Sequence, residues 1–183
     1  AEINDAIKIL KVKKSNLTLL HCNTAYPTPI NDVNMLAMLE MKKKFNCAVG
    51  YSDHTLGSNA AVVATSLGAQ IIEKHITLNT KDKGPDHKAS LNKKSFVKFV
   101  KLIKDTKKIL GSPQKKLTQS EKINLKFARK SIYASREISI GEKFSEKNLI
   151  TLRPFKGFSP MKIIEIYGKK SKKNYQINSL IKF

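Results

Sequence analysis

Cysteine, arginine and acidic residues are all scarce in this 183-residue chain. Cys22 and Cys47 form no CxxC pair, and two thiols do not make a disulfide framework, so a reducing compartment is expected. No apolar run reaches the ~18 residues that a membrane-spanning helix needs. The opening residues read as helix, not as a charged-then-apolar leader, so the expected localisation is cytoplasmic, with no membrane partner. Acids number 14 against 35 basic residues, a net charge of +21, and the only arginines are Arg129, Arg136 and Arg153. Such a charge invites a nucleic-acid reading, because basic side chains neutralise phosphates and release counterions. Arginine, however, is the better bidentate reader of phosphates and guanines. The lysines are spread over almost every segment, with short runs at Lys42–Lys44 and Lys169–Lys173. Solvated helix faces in a lysine-biased sequence account for that pattern, and nucleic acid is not an expected partner.

What is present is an alternation of strands and helices. "AEINDAIKIL" has helical spacing through Ile3, Ile7 and Leu10 and begins without an initiator Met, so a piece of a longer protein is expected. "NLTLLHC" (Asn16–Cys22) reads as a strand, followed by the loop "TAYPTP". Asn31 or Asp32 can cap a helix running to about Phe45. "CAVGYSDH" (Cys47–His54) is the next strand, and Ser58 or Asn59 opens a small-residue helix that stops near Gly68. "QIIEKHIT" (Gln70–Thr77) is a third strand. After the "KDKGPDHKAS" loop, Phe96, Phe99, Val100, Ile103 and Leu110 share one face of a helix that Gly111 ends. Nearly continuous apolar strands alternating with helices predict an α/β fold, a parallel sheet with helices packed outside. From Ser112 the texture changes. Residues 1–111 form the expected first domain, 112–122 ("SPQKKLTQSEK") a polar linker, and 123–183 a small β-rich domain.

Two of the four histidines sit at strand ends. Ser52 and His54 share strand parity and point to one side of the sheet, and Glu73 and His75 do the same on the next strand. In a parallel α/β arrangement such strand ends build active sites. Two neutral imidazoles from adjacent strands can hold a divalent cation and leave positions open for water and substrate oxygens. They can equally be structural residues satisfied by backbone groups, and spacing alone leaves both readings open.

"LLHCNTAYPTP", "GYSDHTLG", "EKHITLNTKDKGPDHKAS" and "ARKSIYASREISIGEKFSEKNLITLRP" occur in that order, and together they resemble the N-acetylneuraminate (sialic acid) synthase family from near Leu17 onward. The resemblance implies the C-terminal three βα units of a (β/α)₈ TIM barrel followed by a small β-rich antifreeze-like (SAF, β-clip) domain. Earlier barrel units and the family's phosphoenolpyruvate-binding lysines would then lie upstream, and these residues alone are expected to be inactive. The implied reaction, that of a carbon–carbon bond-forming transferase, condenses phosphoenolpyruvate with N-acetylmannosamine or a related acetamido sugar. Its products are a nine-carbon 2-keto sugar acid for surface polysaccharide and inorganic phosphate. Legionaminic or pseudaminic acid synthesis, or an inactive fragment acting as a basic binding module, are the alternatives.

By the same resemblance, His54 and His75 ligate a divalent metal, Mn²⁺ with Mg²⁺ or Co²⁺ as alternatives. Ser52 and one of Asn23 and Thr24 contact the phosphoenolpyruvate phosphate, relatives having asparagine where Thr24 falls. Tyr26 and Asp86 resemble sugar contacts, and Glu73 is a candidate for proton transfer or for orienting the sugar. Arg153 and Phe127 resemble residues that reach the sugar's N-acetyl group across a domain-swapped homodimer. Phe155 departs from the frequent glycine after the Arg-Pro pair and is expected to alter the loop that carries Arg153.

Overall fold

The computed structural model describes residues 2–182 and divides into two units, Ala1–Pro113 and Gln114–Phe183. The first begins with helix α1 (Glu2–Leu10), in which no residue is buried. Strand β1 (Thr18–His21), helix α2 (Leu36–Phe45), strand β2 (Ala48–Asp53), helix α3 (Asn59–Ser66) and strand β3 (Ile72–Lys74) follow. The three strands form one parallel sheet in the order β1-β2-β3. Alternation along β2 sends Val49 and Tyr51 to the helix side, into a core with Val33, Met35, Met38, Ala60 and Ala64. Gly50 and Ser52 face the other way. A side chain at Gly50 would overlap the Ile71 carbonyl and the Leu20 side chain, so the close approach of the three strands requires a glycine there.

The expected third strand, Gln70–Thr77, is interrupted at His75. Strand β3 pairs with β2, whereas β4 (Ile76–Thr77) pairs in parallel with β5 (Leu91–Asn92) in a second, two-stranded sheet. His75 therefore sits where the chain passes from one sheet to the other. The expected cap at Asn31 or Asp32 also differs. Ile30–Asp32 is a single 3₁₀ turn, and Asn34 at φ 43° breaks the helical path before α2 starts at Leu36. Asn92 caps helix α4 (Lys93–Leu110) by accepting from Ser95 N at 2.9 Å. Phe99 on α4 is buried, whereas Leu110, on the same helical face but at the last residue of the helix, is exposed.

In the second unit, the stretch expected to be linker holds the start of helix α5 (Gln119–Ala128). Thr118 accepts from Glu121 N while the Glu121 carboxylate accepts from Thr118 N, so a capping box starts a helix inside a polar stretch. Strands β6 (Ser131–Ala134) and β7 (Leu149–Leu152) pair antiparallel, and α6 (Ile163–Ile166) is a single turn. The remaining expected strands reduce to isolated bridges such as Ile138 to Tyr175 and Tyr133 to Leu180. Ile132, Ile138, Phe144, Leu149, Tyr175 and Ile181 fill the core. No helix among the described residues is long and apolar enough to cross a membrane.

Glu142 ties this unit's turns together. Its carboxylate accepts from Arg136 Nη2 at 2.7 Å, Asn148 Nδ2 at 3.0 Å and Ser139 N at 3.1 Å. The Arg136 bond first, then Asn148 and Ser139, hold its pKa down from 4.5 to about 2. A depressed carboxylate pKa stabilises the folded state above the unfolded value, and that contribution is lost as pH falls from about 4.5 towards 2. Thermal unfolding followed across that window should show Glu142→Gln less stable than wild type at neutral pH, the gap closing near pH 2. A gap that stays constant with pH would contradict this assignment.

Candidate functional site

The four histidines divide by what their rings meet. His21 bonds the Val33 carbonyl through Nε2 at 2.7 Å, and His87 bonds Thr77 Oγ1 through Nδ1 at 2.7 Å. Those two hold loops in place. His54 and His75 face each other instead, ring centroids 5.0 Å apart and planes at 71°.

His54 follows directly from the end of β2, and its main-chain oxygen accepts from Thr28 N at 2.9 Å. Its Nδ1 lies 2.8 Å from the carbonyl oxygen of Asn23. A carbonyl only accepts, so Nδ1 carries the proton and the neutral ring keeps its lone pair on Nε2. Ser52 Oγ is 3.4 Å from that Nε2 but donates to Glu73 Oε1 at 2.6 Å, the shorter and charge-assisted bond. Ser52 and Glu73 are register partners on β2 and β3, so the bond is a rung across the strand ends. His75 is held by its main-chain oxygen, which accepts from Leu91 N at 3.0 Å, and its Nδ1 lies 3.6 Å from Asp86 Oδ2.

Tyr26 packs against both imidazoles, its ring centroid 4.9 Å from that of His54 and 4.4 Å from that of His75. Its hydroxyl lies 3.3 Å from Ser90 Oγ, and Ser90 donates to the Asp86 main-chain oxygen at 2.8 Å. Burial first, then the negative charges of Asp86 and Asp53, push the Tyr26 pKa above 10.0 against the lowering effect of the Ser90 bond. Tyr26 thus stays a neutral phenol that can donate or accept. The structure therefore brings Ser52, His54, Tyr26, Glu73, His75 and Asp86 together.

Of the Asn23–Thr24 pair, Asn23 uses its side-chain oxygen to accept from Ala25 N at 2.8 Å, closing the turn that presents its carbonyl to His54. Thr24 is exposed. Phe127 and Arg153 belong to the second unit. Arg153 Nε donates to the Ala128 carbonyl at 2.9 Å, beside Phe127, which is exposed on α5. Phe155 lies outside the positive-φ positions and its N–H bonds the Lys126 carbonyl at 2.8 Å. Its side chain therefore causes no backbone strain of the kind a lost glycine implies.

Sequence reasoning missed Asp53, Thr55, Lys74, Ser90 and Cys22. Asp53 and Lys74 pair behind the strand ends at 3.1 Å, with side-chain exposures of 0% and 1%. The signal was available: a carboxylate and an ammonium at helix-facing positions of two adjacent apolar strands. Cys22 Sγ lies 3.6 Å from His54 Nδ1, a proximity that no local pattern announces.

Among the described residues, no three or more His, Cys, Asp or Glu side chains gather as a cation cage. The arrangement offers an ion one imidazole pair, with His54 Nε2 unprotonated and its Nδ1–H already engaged by a carbonyl, the outer bond that fixes a ligand's orientation. Oxygens of water or substrate would have to complete the shell. That donor set fits a six-coordinate divalent ion of mixed nitrogen and oxygen preference. A groove of about 400 Å³ lined by Lys74, Phe96, Phe99 and Val100 lies on the helix side of the sheet and contains neither histidine. Nitrogen-15 correlation spectra should find neutral His54 as the Nδ1–H tautomer. An Nε2–H tautomer would remove the free lone pair and contradict this geometry.

The family model described as NeuB family matches residues 1–115, and that of the SAF domain matches 129–183. The N,N'-diacetyllegionaminic acid synthase of Campylobacter jejuni is 45% identical over 99% of this chain and 55% of its own length. A pseudaminic acid synthase of Campylobacter jejuni is 38% identical over 99% of the chain and 53% of its own. The crystal structure of N-acetylneuraminic acid synthetase from Leptospira borgpetersenii in complex with citrate is 37% identical, with a TM-score of 0.59 over 67% of this chain and 43% of that one. The chain spans about half the length of the curated relatives it matches. By the match over residues 1–115, with the SAF match following it, the chain belongs to the NeuB family.

Proposed function

We propose that these residues form the strand-end half of a nonulosonic acid synthase site, which condenses phosphoenolpyruvate with an open-chain acetamido sugar. In that reaction C3 of phosphoenolpyruvate attacks the aldehyde carbon, water adds at C2, and phosphate leaves as the C2–O bond breaks. What supports the reading is one juxtaposition: the Ser52–Glu73 rung at 2.6 Å lies on the same side of the strand ends as two imidazoles 5.0 Å apart. Residues able to contact phosphate, move a proton and hold a cation are thus within reach of one substrate pair.

His54 and His75 would hold Mn²⁺, or Mg²⁺ or Co²⁺ in its place. The chemistry such an ion supplies is Lewis-acid polarisation of a carbonyl. Ser52 turns its hydroxyl from Glu73 to a phosphate oxygen, and Thr24, exposed while Asn23 is engaged in its turn, adds a second donor. Glu73, freed of Ser52, accepts a proton at Oε1. Tyr26 and Asp86 orient sugar hydroxyls from the rim. Arg153 keeps both Nη groups clear of its Nε bond to Ala128 and, with Phe127, is suited to the N-acetyl group of a sugar in a second copy's barrel, a domain-swapped homodimer. The barrel itself would be completed by upstream strands.

For the acceptor, 45% identity to a diacetyllegionaminic acid synthase and 38% to a pseudaminic acid synthase, against 34% to the N-acetylneuraminate-9-phosphate synthase of Homo sapiens, favours a 6-deoxy-diacetamido sugar over N-acetylmannosamine. In the full-length protein, phosphate release from phosphoenolpyruvate should require both an acetamido sugar and a divalent ion, and should run fastest with the diacetamido sugar. Glu73→Gln should lower kcat by roughly 10²–10⁴-fold. Unchanged turnover in His54→Ala/His75→Ala, or release without any sugar, would overturn the reading.

A further inference from the structure

Behind the strand ends, on the face opposite Ser52 and His54, lies a charged cluster that the proposed chemistry does not use. Asp53 and Lys74 are register partners on β2 and β3, their side chains 0% and 1% exposed. Asp53 Oδ2 faces Lys74 Nζ at 3.1 Å and makes no hydrogen bond of its own among the described residues. Asp53 Oδ1 accepts from both Thr55 N, at 2.9 Å, and Thr55 Oγ1, at 2.7 Å. Lys74 Nζ donates to the Thr55 carbonyl. Thr55 is itself buried.

Such a cluster is a poor source of stability. Desolvating two charges is costly, and apolar side chains of similar volume commonly pack there as well or better. Its geometry has another consequence. Thr55 is gripped at its N–H by Asp53 and at its carbonyl by Lys74, while the carbonyl of His54 is held by Thr28 N at 2.9 Å. His54 is thus flanked by two fixed residues and has little freedom to rotate about its own backbone. Lys74 immediately precedes His75, so one ion pair fixes the neighbours of both imidazoles at once. A one-residue slip of β3 against β2 would separate the pair and turn Glu73 and His75 to the helix face.

We propose that Asp53, Thr55 and Lys74 are positioning residues that set the His54 ring against the His75 ring for cation binding. The inference rests on the reading of those histidines as a cation pair. It adds three residues that touch neither ion nor substrate.

The test uses the full-length protein and Mn²⁺ alone, followed by the electron paramagnetic resonance signal of the free ion, beside thermal unfolding. Wild type should bind Mn²⁺, and His54→Ala/His75→Ala should not. Asp53→Asn and Lys74→Met each leave one buried charge unpaired and should unfold at lower temperature. The double variant leaves no orphan charge, so its unfolding temperature should recover towards wild type. Its Mn²⁺ affinity should nonetheless stay down by about 10–100-fold, the effect of losing outer groups that orient a ligand. A merely structural pair would let affinity recover together with stability, and that result overturns the proposal. Thr55→Val removes one hydroxyl bond and no charge. Should the charge variants not fold, a weakened Mn²⁺ affinity in Thr55→Val supports the proposal and an unchanged one overturns it. Equal Mn²⁺ binding by wild type and His54→Ala/His75→Ala would instead remove the cation pair, and the positioning role with it.

Discussion

The register of β3 against β2 governs everything at this site. With Ser52 opposite Glu73 and Asp53 opposite Lys74, one rung points to the open side of the sheet and the next to the helices. A strand has a side-chain period of two, so a single register decides which charges meet water and which are buried. The open rung becomes a hydroxyl–carboxylate pair beside two imidazoles. The buried one becomes an ion pair that fixes the residues next to them. Gly50, where a Cβ would strike Ile71 and Leu20, allows the strands the spacing that this register needs.

Backbone carbonyls then convert position into chemistry. The turn closed by the Asn23 side chain aims the Asn23 carbonyl at His54 Nδ1, and that bond fixes the proton on one nitrogen and leaves the other bare. The tautomer of the His54 ring is therefore set by a loop 31 residues away in sequence. The Tyr26 ring against both imidazoles and the Ser90 bridge to the Asp86 backbone show the same logic on the rim, where neighbouring loops hold one another.

Strand parity made the pairing of Ser52 with His54, and of Glu73 with His75, legible in the sequence, because period-two alternation is a local property. The break at His75 was not, since "EKHIT" contains no glycine or proline and the switch of sheet is a tertiary choice made by pairing with Leu91–Asn92. Asn34 in the left-handed region displaced the helix start expected from Asn31 or Asp32. The helix at Gln119 was announced by Thr118 and Glu121, a capping-box spacing, but polar composition masked it as linker. The Asp53–Lys74 pair was hidden by the opposite bias, that charged residues in a lysine-rich chain are read as solvated. Contacts such as Cys22 with His54 depend on the packing of distant loops and leave no local trace.

A crystal of the full-length protein soaked in manganese, with data collected at the manganese absorption edge, tests the central claim most directly. The account predicts an anomalous peak between the His54 and His75 rings, within bonding distance of Nε2 of each, with the Asn23 carbonyl still on Nδ1 of His54. Two rings turned apart with no peak between them would contradict it.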